Sequence, residues 1–260
     1  MGLNPRPLTR SMAQSRYLAR APIVEAVIDV RVRTAPDLRV EVFEDLGELA
    51  ADYPKRDELT QFEMGFTKLP GKPPDAHQVD RGKIGFRHVS EDGKFIAQLR
   101  KDGFTFSRLA PYTRWEEIFA EASRLYRHYL QTAAAEEVHR IAVRYINRLP
   151  LPEGDVNDFS PFLTAPPPFP HEVPAVMTGF LTQVQVQEPD SLIQATVTQT
   201  IQRGEVTPGF VPVILDLDVF EVGAFPLEPD RLLSRFEALR MAKNRLFFSS
   251  ITERTAELFS

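Results

Sequence analysis

The chain has no cysteine. That one absence removes disulfides, thiolate metal sites, iron–sulfur clusters and a cysteine nucleophile. It also lacks any run near the ~20 apolar residues of a membrane helix, so no membrane is expected as a partner. No long block of Lys or Arg is present, and 31 basic against 36 acidic residues leave a net charge of -5. Nucleic-acid binding is driven by basic side chains displacing counterions, which makes such a partner unexpected here. The 13 glycines are scattered. Neither GxxxxGK[ST] nor GxGxxG occurs, and GxSxG is missing too. Nucleotide-driven motors, dinucleotide dehydrogenases and the usual serine hydrolases therefore find no support, and no cofactor is expected.

What is present reads as a folded protein. Hydrophobic residues make up 43% and charged residues 26% of 260, close to ordinary globular composition. The first 22 residues hold basic side chains but no apolar run of signal-peptide length. The expectation is a cytoplasmic protein with a flexible tail over residues 1–20.

Beyond that tail, "PIVEAVIDVRV" alternates apolar and polar residues, the signature of a half-buried strand. "DLRVEVFEDLGELAADY" places Val40, Phe43, Leu46 and Leu49 at three-residue steps, which predicts a helix with one apolar stripe. Residues 54–82 are polar and contain Pro54, Pro70, Pro73 and Pro74, so they read mostly as loop. Asp92-Gly93 and Asp102-Gly103 then mark tight hairpins between apolar runs. A helix is expected from Trp115, followed by an alternating strand through "VRYINRL".

Eight of the 22 prolines crowd into the stretch after Leu149, which excludes a helix or a central strand there. Phe159, Phe162, Leu163 and Phe169 within it favour a loop pinned to the body. Three strands follow, at 179–187, 192–202 and 211–222, as an antiparallel meander. A long helix from Pro229 comes last, with a break at Ser249-Ser250 and Ser250 with Glu253 at capping-box spacing. The fold class is α+β: a mainly antiparallel sheet with helices packed on one face and a long C-terminal helix. Residues 21–260 form either one domain or two subdomains, 21–150 and 175–260, joined by the Pro-rich segment 150–174.

The polar half of the meander is unusual. Val184, Val186, Ala195, Val197, Leu215 and Leu217 are expected to lie under a helix. Gln183, Gln185, Gln194, Thr196 and Thr198 then share the opposite face with Asp216 and Asp218. That face is too polar for a second core and poor in Lys and Glu for a plain solvated surface. Gln and Thr at this density suit a wet contact with a protein partner or another copy of the chain, or a groove for a small polar ligand.

Asp216 and Asp218 are two apart on one strand. Two such carboxylates can hold a divalent cation for phosphoryl chemistry, with Arg144 or Arg148 gripping the phosphate. Alternatively, Arg31, Arg140, Arg144 and Arg148 on other strands neutralise them by cross-strand pairing, the less costly solution. The five histidines show no tight helical metal spacing, and no metal site is assigned to them.

"YLARAPIVEAVIDVRV", "FSRLAPYTRWEEIF" with "VRYINRL", and "KNRLFFSSITERTAELF" together resemble a sporadically distributed prokaryotic family of proteins of similar length. The resemblance spans nearly the whole chain. That family has no assigned activity, so no catalytic residue transfers. The resemblance implies an accessory-genome protein from mobile-element or phage-defence neighbourhoods. Two function classes follow from these residues. The first is a non-enzymatic binding or assembly protein using the polar sheet face. The second is a metal-assisted phosphoester hydrolase centred on Asp216 and Asp218.

Overall fold

The computed structural model describes residues 11–67, 75–153, 158–169, 177–202 and 208–260. Nine strands form one sheet in the order β2-β3-β4-β5-β1-β6-β9-β8-β7. In chain order they are β1 (Ile23–Arg33), β2 (Lys55–Thr67), β3 (Asp75–Val89), β4 (Phe95–Arg100) and β5 (Gly103–Leu109). They continue with β6 (Glu137–Pro152), β7 (Leu181–Gln187), β8 (Gln194–Ile201) and β9 (Phe210–Phe225). Helices α1 (Trp115–Ala133), α2 (Pro229–Ser250) and α3 (Glu253–Glu257) complete the regular structure. The β2–β3, β3–β4, β4–β5, β7–β8 and β8–β9 pairs are antiparallel.

The chain divides into two compact units. One comprises Met1–Ala26, Val143–Glu221 and Phe236–Ser260; the other comprises Val27–Ala142 and Val222–Arg235. The division falls within β1, β6 and β9, rather than at the Pro-rich segment where the composition changes.

In the first unit, Leu149, Leu151, Val213, Leu215 and Leu217 join Phe247, Phe248, Ile251, Ala256 and Phe259 in one buried cluster. Phe159, Phe162 and Leu163 from the Pro-rich stretch belong to it, so residues 158–169 are pinned as their aromatic content suggests. Residues 154–157 and 170–174 of that stretch lie outside the described residues. The expected free tail is corrected over residues 11–20. Met12 bridges Thr252, Ala13 N–H donates to Ile251 O at 3.0 Å and Arg20 N–H donates to Phe259 O at 3.0 Å. Ala13 and Leu18 are buried, because the segment carries apolar side chains that the cluster can cover.

In the second unit, the α1 residues Tyr126 and Tyr129 pack on Phe104 of β5 at 5.5 and 5.9 Å between ring centres. Phe43 stacks on Tyr129 at 5.4 Å. The helix expected around Phe43 is instead two short 3₁₀ turns, Val40–Phe43 and Gly47–Ala51. Gly47 separates them at φ +57°, in the left-handed region that an α-helix cannot contain. Val40, Phe43 and Leu46 are buried as the three-residue spacing requires, since a 3₁₀ turn satisfies that period too.

The largest difference from expectation is β2 and β3, which occupy most of the stretch read as loop. Pro54 precedes β2, and Pro70, Pro73 and Pro74 lie outside the described residues. The strands lack alternation because β2 is almost wholly exposed from Lys55 to Glu58. They are joined by an antiparallel ladder, with the exposed pairs Asp57–Arg87 at 2.8 Å and Glu58–Lys83 at 2.6 Å across it. The hairpin at Asp102-Gly103 is as expected. A Cβ at residue 103 would come within 2.3 Å of Val30 O, at φ +155°, so only glycine fits. Near the C-terminus the cap also differs. Thr252, not Ser250, caps α3, its side chain accepting from Thr255 N–H at 3.4 Å.

Candidate functional site: a polar face on β7, β8 and β9

Antiparallel register turns the meander's alternation into rows. Gln183 lies opposite Thr198, which lies opposite Asp216; Gln185 lies opposite Thr196, which lies opposite Asp218. Two rows of polar side chains therefore run across three strands on one face. Within the first row Gln183 Nε2 donates to Thr198 Oγ1 at 3.1 Å. Gln185 is exposed, Thr196 and Thr198 are half-buried, and Gln194 stands half-buried at the start of β8 opposite Gln187.

Arg144 comes from β6, the strand beside β9. Its Nε donates to both oxygens of Asp216, at 2.9 and 3.1 Å, and its Nη2 donates to Oδ2 at 2.5 Å. This forked grip matches a planar guanidinium to a planar carboxylate. The Asp216 side chain is 15% exposed and that of Arg144 49%, so the pair sits at the margin of the face rather than inside the protein. The hydrogen bonds to Asp216 outweigh partial burial and raise the Arg144 pKa, with Asp218 and Glu25 adding to the effect. Asp216 is thus occupied by a cation supplied by the fold.

Arg148 lies on the same side of β6 as Arg144, half-buried, and its backbone N–H donates to Pro22 O at 2.8 Å. Arg31 and Arg140, the other candidate partners, belong to the second unit. There Asp29, only 8% exposed, accepts from Arg31 Nε at 3.0 Å, Arg140 Nη1 at 3.1 Å and Thr105 Oγ1 at 2.7 Å. Among the described residues no group of three or more His, Asp or Glu is assembled to hold a metal ion.

The apolar side of the meander departs from expectation at one end. Val213, Leu215, Leu217 and Val219 of β9 are fully buried and Ala195 of β8 nearly so, but Val184 is 56% and Val186 41% exposed. The reason is position. β7 is the last strand in the sheet, and its apolar side chains lie beyond what the core covers. Below its end is a cavity of about 530 Å³, lined by Met12, Val186, Ile193, Ala242, Leu246 and Phe248 among others. Arg245 and Glu188, which also line it, form an ion pair.

One buried charge went unread in the sequence. Lys243 of α2 is 7% exposed, and its Nζ lies 3.7 Å from the centre of the Tyr145 ring. Burial, with a smaller contribution from Arg240, pushes its pKa down to about 7. The signal was there: Leu232, Phe236, Leu239, Lys243 and Phe247 follow helical spacing, and Lys243 is the one charged residue on that stripe.

Together these groups make an open face rich in short, uncharged donors and acceptors, with Asp216 held by Arg144. Such a face can be matched by another surface of mixed donors and acceptors. No protein-family model matches the chain, and no curated protein matches it significantly, so the reading of this face rests on its chemistry.

Proposed function

We propose that this chain is a non-enzymatic binding or assembly protein whose polar face on β7, β8 and β9 meets a protein partner. The observation that carries the reading is the pair of in-register rows, Gln183–Thr198–Asp216 and Gln185–Thr196–Asp218. Gln and Thr both donate and accept, so a partner can satisfy them directly or through water at little desolvation cost compared with charges. Arg144 supports the same reading. By pairing with Asp216 it balances one of the two acidic charges beside the Gln and Thr rows. The reading takes the long helices as covering the opposite side of the sheet and the cytoplasm as the compartment, where a chain without cysteine loses nothing. It also takes mobile-element or phage-defence gene neighbourhoods as the setting.

The test is native purification of the tagged chain, unaltered and as Thr196→Arg, which sets a long charged side chain in the middle of the face. Self-association or a stoichiometric co-purifying protein, lost or weakened at least about tenfold in the variant, is the expected result. A strict monomer with no stoichiometric companion over a wide concentration range would overturn the reading.

A further inference from the structure

We infer that the chain pairs with a second copy of itself through the free edge of β7, antiparallel and two-fold symmetric about Val184. The inference rests on the binding-protein reading and adds a contact at the strand edge beside the polar face.

Among the described residues, β7 has β8 on one side and no strand on the other. Which residues face that open side follows from one bond. Glu188 N–H donates to Ile193 O at 2.9 Å, and the register carries this alternation back along the strand from Gln187 opposite Gln194. In an antiparallel ladder, alternate residues turn both N–H and C=O to the same neighbour. Thr182, Val184 and Val186 therefore bond β8. Leu181, Gln183, Gln185 and Gln187 direct theirs outward.

Sheet edges of this kind are normally guarded by charge, proline or a bulge. β7 has none of these: its sequence is LTQVQVQ, and its register with β8 runs without a shift. All but Thr182 of its seven residues are exposed.

A second β7 laid antiparallel about Val184 uses every outward group. Leu181 meets Gln187 and Gln183 meets Gln185 as hydrogen-bonded pairs, while Val184 meets Val184 of the other copy as a close pair. The side chains agree with this register. Gln183 and Gln185 amides lie side by side on the polar face, each able to donate and accept, and the exposed valines meet on the other face. Charge is compatible as well. The strand has no ionised group, and Glu188 falls opposite Phe180 rather than another acid. A specific interface covers roughly 800 Å² on each partner. A seven-residue strand is only about 24 Å long, so the exposed Leu181, Val184, Val186 and Leu192 side chains must contribute the rest. The pairing makes the Gln/Thr face continuous across both copies.

The experiment measures mass by sedimentation velocity and light scattering over a wide concentration range, for the full chain and three variants. Twice the chain mass is expected, with the dissociation constant raised at least about tenfold by Val184→Lys, which opposes two like charges at the axis. Val184→Cys, in a chain with no other cysteine, should cross-link to its copy on mild oxidation, since closely paired Cα atoms lie within disulfide reach. Leu192→Cys, in the adjoining turn, should not. A monomeric parent chain overturns the inference. So does a dimer that Val184→Lys leaves intact and Val184→Cys fails to cross-link. In either case, a co-purifying protein or a dimer weakened by Thr196→Arg would leave the broader reading standing.

Discussion

Two buried ions in this molecule are handled in opposite ways. Asp29 is ringed by Arg31, Arg140 and Thr105 at hydrogen-bonding distance, with Arg100 at 3.6 Å. Lys243 has the face of Tyr145 and, among the described residues, no acidic partner. Three guanidiniums stand where water would otherwise surround the carboxylate. The amine meets only a ring quadrupole, worth up to about 2 kcal/mol when desolvated, against several kcal/mol for burying an ammonium ion. It therefore yields its proton near neutrality. The difference teaches that burial has to be judged by the donors and acceptors that replace water around each group.

The largest effect expected from breaking this contrast is at Asp29. Asp29→Ala removes the shared acceptor and leaves Asp102 as the carboxylate that holds both Arg31 and Arg100. We predict a loss of about 3 kcal/mol in urea unfolding; a loss below about 1 kcal/mol would mean that the cluster is solvated enough not to matter. Next comes Lys243→Met, which keeps the length of the side chain and removes the charge. It should stabilise the protein by about 2 kcal/mol at pH 7.

The same site sets a pH dependence whose sign can be worked out. Folded Lys243 releases its proton near pH 7, whereas the unfolded side chain holds it to about 10.5. Between these values the unfolded state binds more protons, so stability rises with pH across that window. Below pH 7 the full cost of a buried ammonium is present. The expected measurement is a Tm that climbs from pH 7 to 9 in the parent chain and climbs less in Lys243→Met. Equal slopes would show that the amine is not the titrating group.

The smallest effect belongs to the margin of the polar face. Arg144 is half exposed, so Asp216→Asn should cost under about 1 kcal/mol. If Asp216 and Asp218 instead held a cation, Mg²⁺ would raise the Tm of the parent chain, and removing a carboxylate would abolish that response.

Much of the fold was legible because period-2 alternation survives wherever one side of a strand is buried. β1, β6, β8 and β9 were readable for that reason, and the face carrying Gln183, Thr198 and Asp216 was assigned from alternation alone. β2 and the start of β3 were not, since residues 55–58 are exposed and show no apolar half. Residues 40–51 misled because a three-residue step fits two kinds of helix, and Gly47 decides between them. The partner of Asp216 was narrowed to four arginines but not chosen, because the choice depends on β6 lying next to β9. The exposure of Val184 and Val186 had the same cause. Alternation tells which side a residue takes, not whether the core reaches that far.

The bonds joining residues 11–20 to residues 251–259 have a consequence for how the protein is made. The first unit uses segments from both ends of this sequence, and its buried cluster includes Ala13 and Leu18 together with Ile251, Ala256 and Phe259. On the ribosome, Ala13 and Leu18 must wait for Ile251, Ala256 and Phe259 before that cluster can close. Most of the second unit, residues 27–142, is meanwhile one continuous stretch, lacking only residues 222–235. A nascent chain therefore carries residues 11–20 without their partners until residues 251–259 have been made.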